Sequence, residues 1–525
     1  MAERLGTIVI ERPFGGWIST ISGTATTSPG ASLEGKENQY AYSNAISLFR
    51  LERFGHIAPG EVFSPITDST PHITDLPLNG VVASANGFSY FVLKNARVVQ
   101  TNNAGTTTTN KDDIAISGTH SGHTVASSMN PDILVIKDAQ TTPIEYVVWS
   151  WEDDNDGDIA VMKSDRTGLN ANWFSSLSGG GVLKKGVPLK LCQGPTGDIY
   201  GTNGQYLISA TMTAGTALTS ATGNAQALNL GSGWVASGIT PFKDFVAACG
   251  YKPVTSSSSI TRSNVRVWLW NTVSGSFPSI YEIPDNYANG IHSDGKDLFV
   301  ITEGRGLSAK TWKFNGTGFD LVFQSNFVSP GGVPIQGGME NYQGSMHFVG
   351  DSKKIYQSFE GGFHHRTTAT DGTNEATSIG MLKNLYQSQL FVGVGIAGGL
   401  YKVYYQDQFV EYYVNAEWRS RLVSLPYKAN IKKIRLYFSQ FGTGASVTIS
   451  LFKNYATYSV GGANDKMNKT LTNSALGAIT EWEITDNMPI TSVSSFYLNL
   501  KFNHTLTTHE AAIVRRIEVD WSTNR

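Results

Sequence analysis

The chain has 525 residues, which is too long for one ordinary core unless that core is a closed array of repeats. Its formal net charge is −2 and only 16% of its residues are charged, so the composition excludes the basic stripe that a tight nucleic-acid grip needs. Aromatic residues make up 11% of the chain, enough to bury a large core, and the 55 glycines favour tight turns. Composition therefore favours an ordered chain of short strands and turns.

Residues 1–75 differ in character from the rest and are interpreted as an extended arm that leads into the first repeat. The opening residues combine a short apolar run with flanking acidic residues, which predicts a strand and not a signal peptide. Residues 19–32 contain too few apolar side chains to carry a core, so we expect a neighbour to order them. A turn or two near residues 38–49 is the only helix that the pattern predicts.

A loosely repeated phrase, a turn followed by short apolar strands, recurs about every 45 to 50 residues between residues 76 and 412. Its occurrences are at residues 86–93, 131–136, 198–208, 242–248, 294–301, 342–349 and 386–393. This period is the length of one four-stranded propeller blade. We therefore predict an all-β chain with a β-propeller of about seven blades, and six or eight also fit the spacing. The cluster at 190–240 is the weakest, because residues 211–232 are almost all small or polar.

The repeated phrase stops near residue 415, and a different strand pattern follows. Ile434, Leu436 and Phe438 alternate with Arg435 and Tyr437, as in a sheet with one buried face. Such strands with long turns predict a C-terminal β-sandwich or jelly roll over residues 415–525. No apolar stretch approaches the ~18 residues that span a bilayer, so no membrane insertion is expected.

One hairpin near residue 155 carries carboxylates at alternate positions around a glycine: Glu152, Asp154, Asp156 and Asp158. This spacing is the first half of a calcium loop of the EF-hand type. The twelfth position counted from Glu152 is Lys163, where that loop has a bidentate glutamate. Two interpretations therefore stand, a polar hairpin between blade strands and a weak structural Ca²⁺ site. No other cofactor is predicted.

Catalytic motifs of the nucleophile-elbow, phosphate-loop and dinucleotide types do not occur in the sequence. Cys192 and Cys249 are interpreted as buried free thiols, because a disulfide framework would need more cysteines. The paired carboxylates of a glycoside hydrolase would come from different blades, so spacing along the chain does not reveal them.

The N-terminal arm contains several short glycine-rich phrases: Phe14, Gly15, Gly16 and Trp17, then Asn44, then Arg53, Phe54 and Gly55, then Pro59 and Gly60. Together with phrases at residues 422–425 and 432–434, this opening resembles virion structural proteins of tailed bacteriophages. The resemblance covers about 60 residues at the front and about 30 at the back. It implies a Phe-Gly-Gly arm, a β-propeller and a C-terminal β-sandwich.

This resemblance implies a non-enzymatic structural component of the phage tail, either a nozzle or hub around the DNA channel or a tip protein. The implied partners are other virion and tail proteins, copies of the chain in a ring oligomer, passing DNA in transient contact, and a host-surface glycan. The implied location is the virion, after synthesis in the host cytoplasm. The expected interface anchors are Phe14, Gly15, Gly16 and Trp17, with packing of the arm on its own propeller as the alternative.

A rival interpretation from another class is a carbohydrate-active propeller enzyme, either a sialidase-like or an arabinanase-like glycoside hydrolase. A glycan-binding subunit for receptor recognition is a third interpretation. The hydrolase accounts for a propeller followed by a sandwich as well as the virion interpretation does, but it accounts poorly for the missing signal peptide and the missing Asp-boxes of sialidases.

Overall fold

The structure, a computed structural model, describes residues 5–12, 40–44, 46–47, 56–60, 63–68, 71–101, 108–112, 131–253, 264–273, 278–303, 309–324, 338–342, 344–351, 354–359, 362–368, 376–386, 389–396, 398–407, 416–453, 465–474, 479–503 and 511–523. The chain divides into two compact units: unit 1 comprises residues 1–63, 354–368 and 406–525, and unit 2 comprises residues 64–353 and 369–405. The expected interface anchors lie outside the described residues: Phe14, Gly15, Gly16 and Trp17.

Five short strands precede the first blade: β1 (Leu5–Glu11), β2 (Tyr40–Asn44), β3 (Ile46–Ser47), β4 (Ala58–Pro59) and β5 (Phe63–Pro65). The helix expected near residues 38–49 is wrong for the described part of that segment, which forms β2 and β3. Strand pairing overrides the local helical pattern, as Ile46 lies opposite Pro59 in an antiparallel pair. The described helical elements are α1 (Trp173–Ser176) and a 3₁₀ turn (Leu218–Ser220). Neither has the length or apolar character that crossing a bilayer requires.

Seven sheets follow one another along the chain, and in the first six the strands are hydrogen-bonded in chain order. Blade 1 contains β6 (Pro77–Val82), β7 (Ser89–Leu93), β8 (Val98–Thr101) and β9 (Thr108–Asp112); blade 2 contains β10 (Ile133–Lys137), β11 (Glu145–Glu152) and β12 (Gly157–Lys163); and blade 3 contains β13 (Leu191–Gln193), β14 (Ile199–Asn203), β15 (Tyr206–Thr211) and β16 (Thr222–Asn229). Blade 4 contains β17 (Val235–Phe242), β18 (Phe245–Tyr251), β19 (Val265–Trp270) and β20 (Ser279–Ile283), and blade 5 contains β21 (Tyr287–Ser293), β22 (Leu298–Glu303), β23 (Ala309–Phe314) and β24 (Phe319–Gln324). Blade 6 contains β25 (Met339–Tyr342), β26 (Ser345–Asp351), β27 (Lys354–Phe359) and β28 (Gly362–Thr368), and blade 7 contains β29 (Ala376–Tyr386), β30 (Gln389–Ile396) and β31 (Leu400–Asp407). The chain is therefore all-β with a seven-bladed β-propeller, as the repeat period predicts.

Blade 7 takes its fourth strand from the N-terminal part of the chain, in the order β29, β30, β31, β5. Directly after β5, Ile66 donates its backbone N–H to the carbonyl oxygen of Val403 at 2.8 Å. Ile66 also belongs to a buried cluster with Phe91 of blade 1 and Phe391 of blade 7. Distant parts of the chain thus meet in one sheet, which protects the first and last blades of the array from open edges.

The repeated phrase marks the turn into the second strand of several blades. In blade 5, Asp294 Oδ1 accepts hydrogen bonds from the backbone N–H groups of Lys296 and Asp297 at 2.9 and 2.6 Å. Gly295 in this turn has a φ of +89°, which glycine adopts without a steric penalty. The second strands β7, β11 and β22 are buried along their whole length. Burial on both faces explains their continuous apolar runs.

The cluster at residues 190–240, which the sequence marks as the weakest, contains the complete third blade. Its fourth strand is β16, where Leu228 lies opposite Leu207 of β15. The side chains of β16 are mostly exposed or half-buried. A strand of this kind needs few apolar residues, which explains the weak signal of the segment.

Unit 1 contains a sheet of nine strands, which run in the order β1-β38-β33-β37-β32-β2 with β34, β35 and β36 attached beside this path. Its C-terminal strands are β32 (Glu417–Ser420), β33 (Val423–Gln440), β34 (Ser446–Lys453), β35 (Asp465–Thr472), β36 (Glu481–Ile484), β37 (Ile490–Asn503) and β38 (Ile513–Thr523). Along β33, Ile434 and Leu436 are buried and Arg435 and Tyr437 are half-buried, so the period-two pattern is reproduced. The buried side chains of β33, β34, β37 and β38 form one apolar cluster.

Strand β1 pairs antiparallel with β38 along its whole length, from Leu5 opposite Ser522 to Glu11 opposite Arg516. Its Ile8 packs against the apolar cluster of unit 1, which accounts for its place in the sheet. The predicted boundaries at residues 75 and 415 stay predictions, and the structure adds that β1 and β2 belong to the same sheet as β32 to β38.

Candidate functional site

A cavity of about 650 Å³ lies in unit 2 where the first strands of the blades converge. All seven first strands contribute to it: β6, β10, β13, β17, β21, β25 and β29. Its volume falls in the range of small-molecule sites, roughly 300–1,000 Å³. No Phe, Tyr or Trp is among the described residues that line it. The propeller therefore offers a concave site whose walls are backbone, aliphatic side chains and a few polar groups.

Two of the first strands carry a β-bulge at the cavity wall. The register shift between Ala236 and Gly238 leaves Ser237 as the extra residue, and the shift between Ala288 and Gly290 does the same for Asn289. Ser237 and Asn289 both line the cavity. A bulge turns a side chain out of the regular alternation, and bulges are frequent beside functional sites.

Asp132, immediately before β10, holds three neighbouring blades together at the cavity. Its carboxylate accepts hydrogen bonds from the side-chain amide of Asn79 in blade 1 and from the backbone N–H of Leu191 in blade 3, the latter at 2.9 Å. It also accepts one from the N–H of Ile133 at 3.0 Å. Both oxygens are therefore occupied by protein donors, which gives this carboxylate a structural role.

Two lysines line the same cavity. Lys190 is buried, and desolvation lowers its pKa, an effect that the charge of Asp132 opposes and that of Lys383 reinforces. Lys383 forms an ion pair with Glu340, with 3.5 Å between Nζ and Oε2. Burial raises the pKa of Glu340 despite that lysine. The cavity thus contains charges of both signs held in a poorly solvated setting.

His292 and Asn289 of β21 complete the polar wall. Burial lowers the pKa of His292 to about 3, with a further contribution from the charge of Lys383, so its imidazole is neutral at physiological pH. Asn289 is 5% exposed and donates a side-chain hydrogen bond to Glu303. Its Oδ1 has no hydrogen-bond partner among the described residues. A buried acceptor without a donor is costly, and this one lies at the cavity wall.

The segment predicted as a calcium loop is the tight hairpin between β11 and β12. Glu152 lies opposite Gly157, which leaves Asp154 and Asp156 in the turn between them. Asp153 caps this turn, because its Oδ1 accepts a hydrogen bond from the backbone N–H of Asp156 at 3.0 Å. A side chain outside the predicted ligand set therefore organises the turn, as in an Asx-turn.

The two carboxylates that flank the turn bind different partners. Glu152 accepts a hydrogen bond from the N–H of Gly186 at 2.8 Å. Asp158 accepts one from the hydroxyl of Ser175 at 2.5 Å and one from the N–H of Ile159 at 2.7 Å, and burial raises its pKa to about 6. Within the described part of the chain, no group of three or more His, Cys, Asp or Glu side chains could hold a metal ion. The polar-hairpin interpretation accounts for these contacts, and the calcium site stays a prediction.

Cys192 and Cys249 are both free and buried, as predicted. Burial raises the pKa of each thiol, that of Cys249 to about 12. Neither therefore supplies a thiolate nucleophile at neutral pH.

Strand β1 forms one end of the strand path in unit 1, and β38 is its neighbour among the described strands. Leu5 and Val9 are 75% and 43% exposed on the same face as Thr7, whose hydroxyl donates to Asp520 at 2.6 Å. An edge strand presents unpaired backbone N–H and C=O groups. The middle of β1 carries neither proline nor charge, two of the features that usually block strand addition.

No protein-family model matches the sequence, and no curated protein matches it. Among solved structures, Raptor from Chaetomium thermophilum is similar with a TM-score of 0.44 and 9% identity, over 66% of this chain and 29% of that chain. The β-propeller domain of Cps50 (Swd1) from Myceliophteria thermophila gives a TM-score of 0.39 and 9% identity, over 66% and 99% of the two chains. The WD40 repeats of RRP9 give a TM-score of 0.39 and 12% identity, over 66% of this chain and 99% of that chain. These likenesses concern the propeller fold alone.

Sequence reasoning missed the residues of the cavity. Lys190 lies between apolar residues at the start of β13, and Asp132 follows a proline at the start of β10. A single charge inside an apolar strand is a usable signal for a buried polar site. That these positions belong to one cavity depends on the ring of blades, which no local pattern encodes.

Proposed function

We propose that this protein is a non-enzymatic structural subunit that assembles with copies of itself and with other proteins, and that its setting is the tail of a phage virion. The assembly role is supported by one observation above the others, the partly apolar edge of β1, which has β38 as its one neighbour among the described strands. The setting is supported by the resemblance of the N- and C-terminal phrases to virion structural proteins.

The sequence of β1 suits antiparallel pairing with a second copy of itself. In a pair centred on Ile8, Thr7 lies beside Val9 of the other copy and Leu5 lies beside its Glu11. Alternation is preserved, so Ile8 and Ile10 of both copies stay on the core side of the sheet. Such a contact is self-complementary, as a two-fold symmetric interface requires. Backbone hydrogen bonds supply affinity and the exposed leucine and valine supply apolar burial.

The rest of the chain suits a scaffold. The propeller is closed through β5, and buried apolar clusters join successive blades. We further propose that the strands of residues 417–523 form a β-sandwich, because the inward side chains of β33, β34 and β37 share one apolar cluster. The roles of Phe14, Gly15, Gly16 and Trp17 as arm anchors, and of passing DNA and host glycan as partners, belong to the same proposal.

Glycoside hydrolysis receives less support. Asp132 and Glu340 are carboxylates that line the same cavity, as an acid and base pair would. The oxygens of Asp132, however, are bound by donors from its own and neighbouring blades, and Glu340 is paired with Lys383. A hydrolytic pair needs one carboxylate directed at substrate or water. Hydrolysis of common glycosides that is lost on Asp132→Asn, with folding intact, would support the enzyme instead.

Light scattering during gel filtration tests the assembly role. We expect a mass above that of the monomer, and a return to monomer when Val9→Lys or Leu5→Lys places a charge on the open edge. Val182→Lys is the matched control, since Val182 is an exposed valine in the propeller. A wild-type chain that stays monomeric at high concentration, or an oligomer that both β1 variants leave intact, would contradict the proposal.

The virion setting has its own test. Quantitative mass spectrometry of purified tailed particles that encode the chain should find it in a fixed ratio to the other tail proteins. Particles that are infectious and lack the chain would rule out this setting and leave the assembly role standing.

A further inference from the structure

The central cavity contains two ammonium groups with few protein partners. Lys190 Nζ donates one hydrogen bond within the described part of the chain, to the carbonyl oxygen of Pro131 at 3.2 Å, although an ammonium group has three protons to donate. Lys383 Nζ is 3.5 Å from Glu340 Oε2, longer than the roughly 2.7–2.9 Å of a short charge-assisted hydrogen bond. Buried lysines are rare unless they are paired, so these two have donor capacity left for a ligand.

These two ammonium groups are close enough to affect each other electrostatically. Burial is the main cause of the lowered pKa of Lys190, and the charge of Lys383 adds to it. The same charge contributes to the lowered pKa of His292. Two ammonium groups and a neutral imidazole thus line one poorly solvated space, and an anion placed among them would offset the repulsion between the two ammonium groups.

The carboxylates of the cavity do not offer a matching cation site. Asp132 already accepts hydrogen bonds from Ile133 and Leu191 as well as from Asn79. Glu340 accepts hydrogen bonds from the backbone N–H groups of Asn341 and Asn384 in addition to its ion pair with Lys383. Among the groups that remain for a ligand are the cationic donors of Lys190 and Lys383 and the buried acceptor of Asn289.

Asn289 adds a second, independent requirement. Its Oδ1 is buried with no donor among the described residues, and its amide N–H is directed to Glu303, which fixes the orientation of the amide. A bare anion carries no proton for this oxygen. A ligand that combines an anionic group with a hydroxyl donor would pair with both the lysines and Asn289.

We propose that the central cavity binds a small phosphate monoester of a polyol, with the phosphate held by Lys190 and Lys383 and a hydroxyl donating to Asn289 Oδ1. The cavity volume of about 650 Å³ accommodates such a ligand together with water. A glycan that binds by stacking is a poorer fit, because the described lining has no aromatic side chain. This site shares no residue with the β1 edge, so a negative result for ligand binding would leave the assembly proposal unaffected.

Isothermal titration calorimetry with three probes separates the contributions. Glycerol 3-phosphate carries both features of the ligand, sulfate carries only the charge, and glycerol carries only the hydroxyl groups. We expect glycerol 3-phosphate to bind most tightly, sulfate more weakly and glycerol not measurably. Lys383→Gln should weaken both anions about tenfold or more, the effect of losing one charge-assisted hydrogen bond. Lys383→Arg should retain most of the affinity.

Asn289→Ala tests the second contact, since it should weaken glycerol 3-phosphate and leave sulfate unchanged. Lys243→Gln is the matched control, because Lys243 lies exposed in the turn between β17 and β18. Thermal unfolding of each variant verifies that it is folded. The proposal is overturned if the folded wild-type chain binds none of the three probes, or if Lys383→Gln and Lys243→Gln have the same effect.

Discussion

Gly380 of β29 approaches the backbone of Pro77 in β6 so closely that a methyl group at its Cα would overlap the carbonyl oxygen of Pro77. The two residues belong to the last and the first blade, so this contact is made where the ring of blades closes. Gly380→Ala should lower the free energy of unfolding by about 1–3 kcal/mol or more, as overpacking does.

Gly290→Ala is the matched control for this closure contact. Gly290 is also in the first strand of a blade, but it has open space where a Cβ would be added. Chemical denaturation of both variants makes the comparison. Equal stability of the two would show that the blades close less tightly than the structure indicates.

A second prediction concerns the strand that completes blade 7. Ile66 is buried beside Phe91 and Phe391 directly after β5. Ile66→Ala should cost about 2–5 kcal/mol, the range for deleting a buried isoleucine side chain. Ile280→Ala, at a half-exposed position in β20, should cost far less and serves as the control. If the two variants unfold at the same denaturant concentration, β5 does not stabilise the propeller.

A third prediction concerns a buried hydrogen-bond network in blade 5. Thr302 donates its hydroxyl to Asp285 at 2.5 Å and accepts from Trp312 Nε1 at 2.8 Å, while Lys310 forms an ion pair with Asp285 at 2.9 Å. Thr302→Val keeps the shape and leaves two buried partners unsatisfied, so it should destabilise by about 1–3 kcal/mol. Thr317→Val in an exposed turn is the control. If Thr302→Val leaves the free energy of unfolding unchanged, water replaces the lost hydrogen bonds.

A fourth prediction uses the raised pKa of Asp158. Because its folded-state pKa of about 6 exceeds the ordinary value of 3.8, the native state keeps a proton that the unfolded state releases. This contribution to stability is complete below about pH 4 and is lost as the pH rises through about 6. The stability of the wild type relative to Asp158→Asn should therefore fall by about 1–3 kcal/mol from pH 4 to 7.

Asp154→Asn, the same substitution in the exposed turn of the same hairpin, is the matched control variant. If calcium is present and the stability of the wild type relative to Asp158→Asn rises with pH instead of falling, this result would support the structural Ca²⁺ site. Urea titrations at a series of pH values, with calcium or with a chelator, distinguish these outcomes.

The propeller could be predicted because its signal is local and repeated. Turns such as the one at Asp294 and Gly295 recur with buried second strands, and their period matches one blade. The pairing of β1 with β38 could not be predicted, since it joins residues more than 500 positions apart. No local pattern distinguishes a strand that pairs with its neighbour from one that pairs across the chain.

The candidate site shows the same limit. The spacing of Glu152, Asp154, Asp156 and Asp158 predicts calcium ligands, and this stays a prediction. The structure adds contacts that the spacing does not encode, of Asp158 with Ser175 and of Glu152 with Gly186. Lys190 and Lys383 are almost 200 residues apart, and only the ring of blades brings them to one cavity.

The most direct test of the assembly account is amide hydrogen exchange of β1, residues 5–11, measured at low and high protein concentration. If copies pair through this edge, exchange of the β1 amides that are not bonded to β38 should slow as the concentration rises, and Val9→Lys should abolish the effect. Exchange of β1 that does not depend on concentration, in a chain that still oligomerises, would contradict the account and place the assembly contact elsewhere.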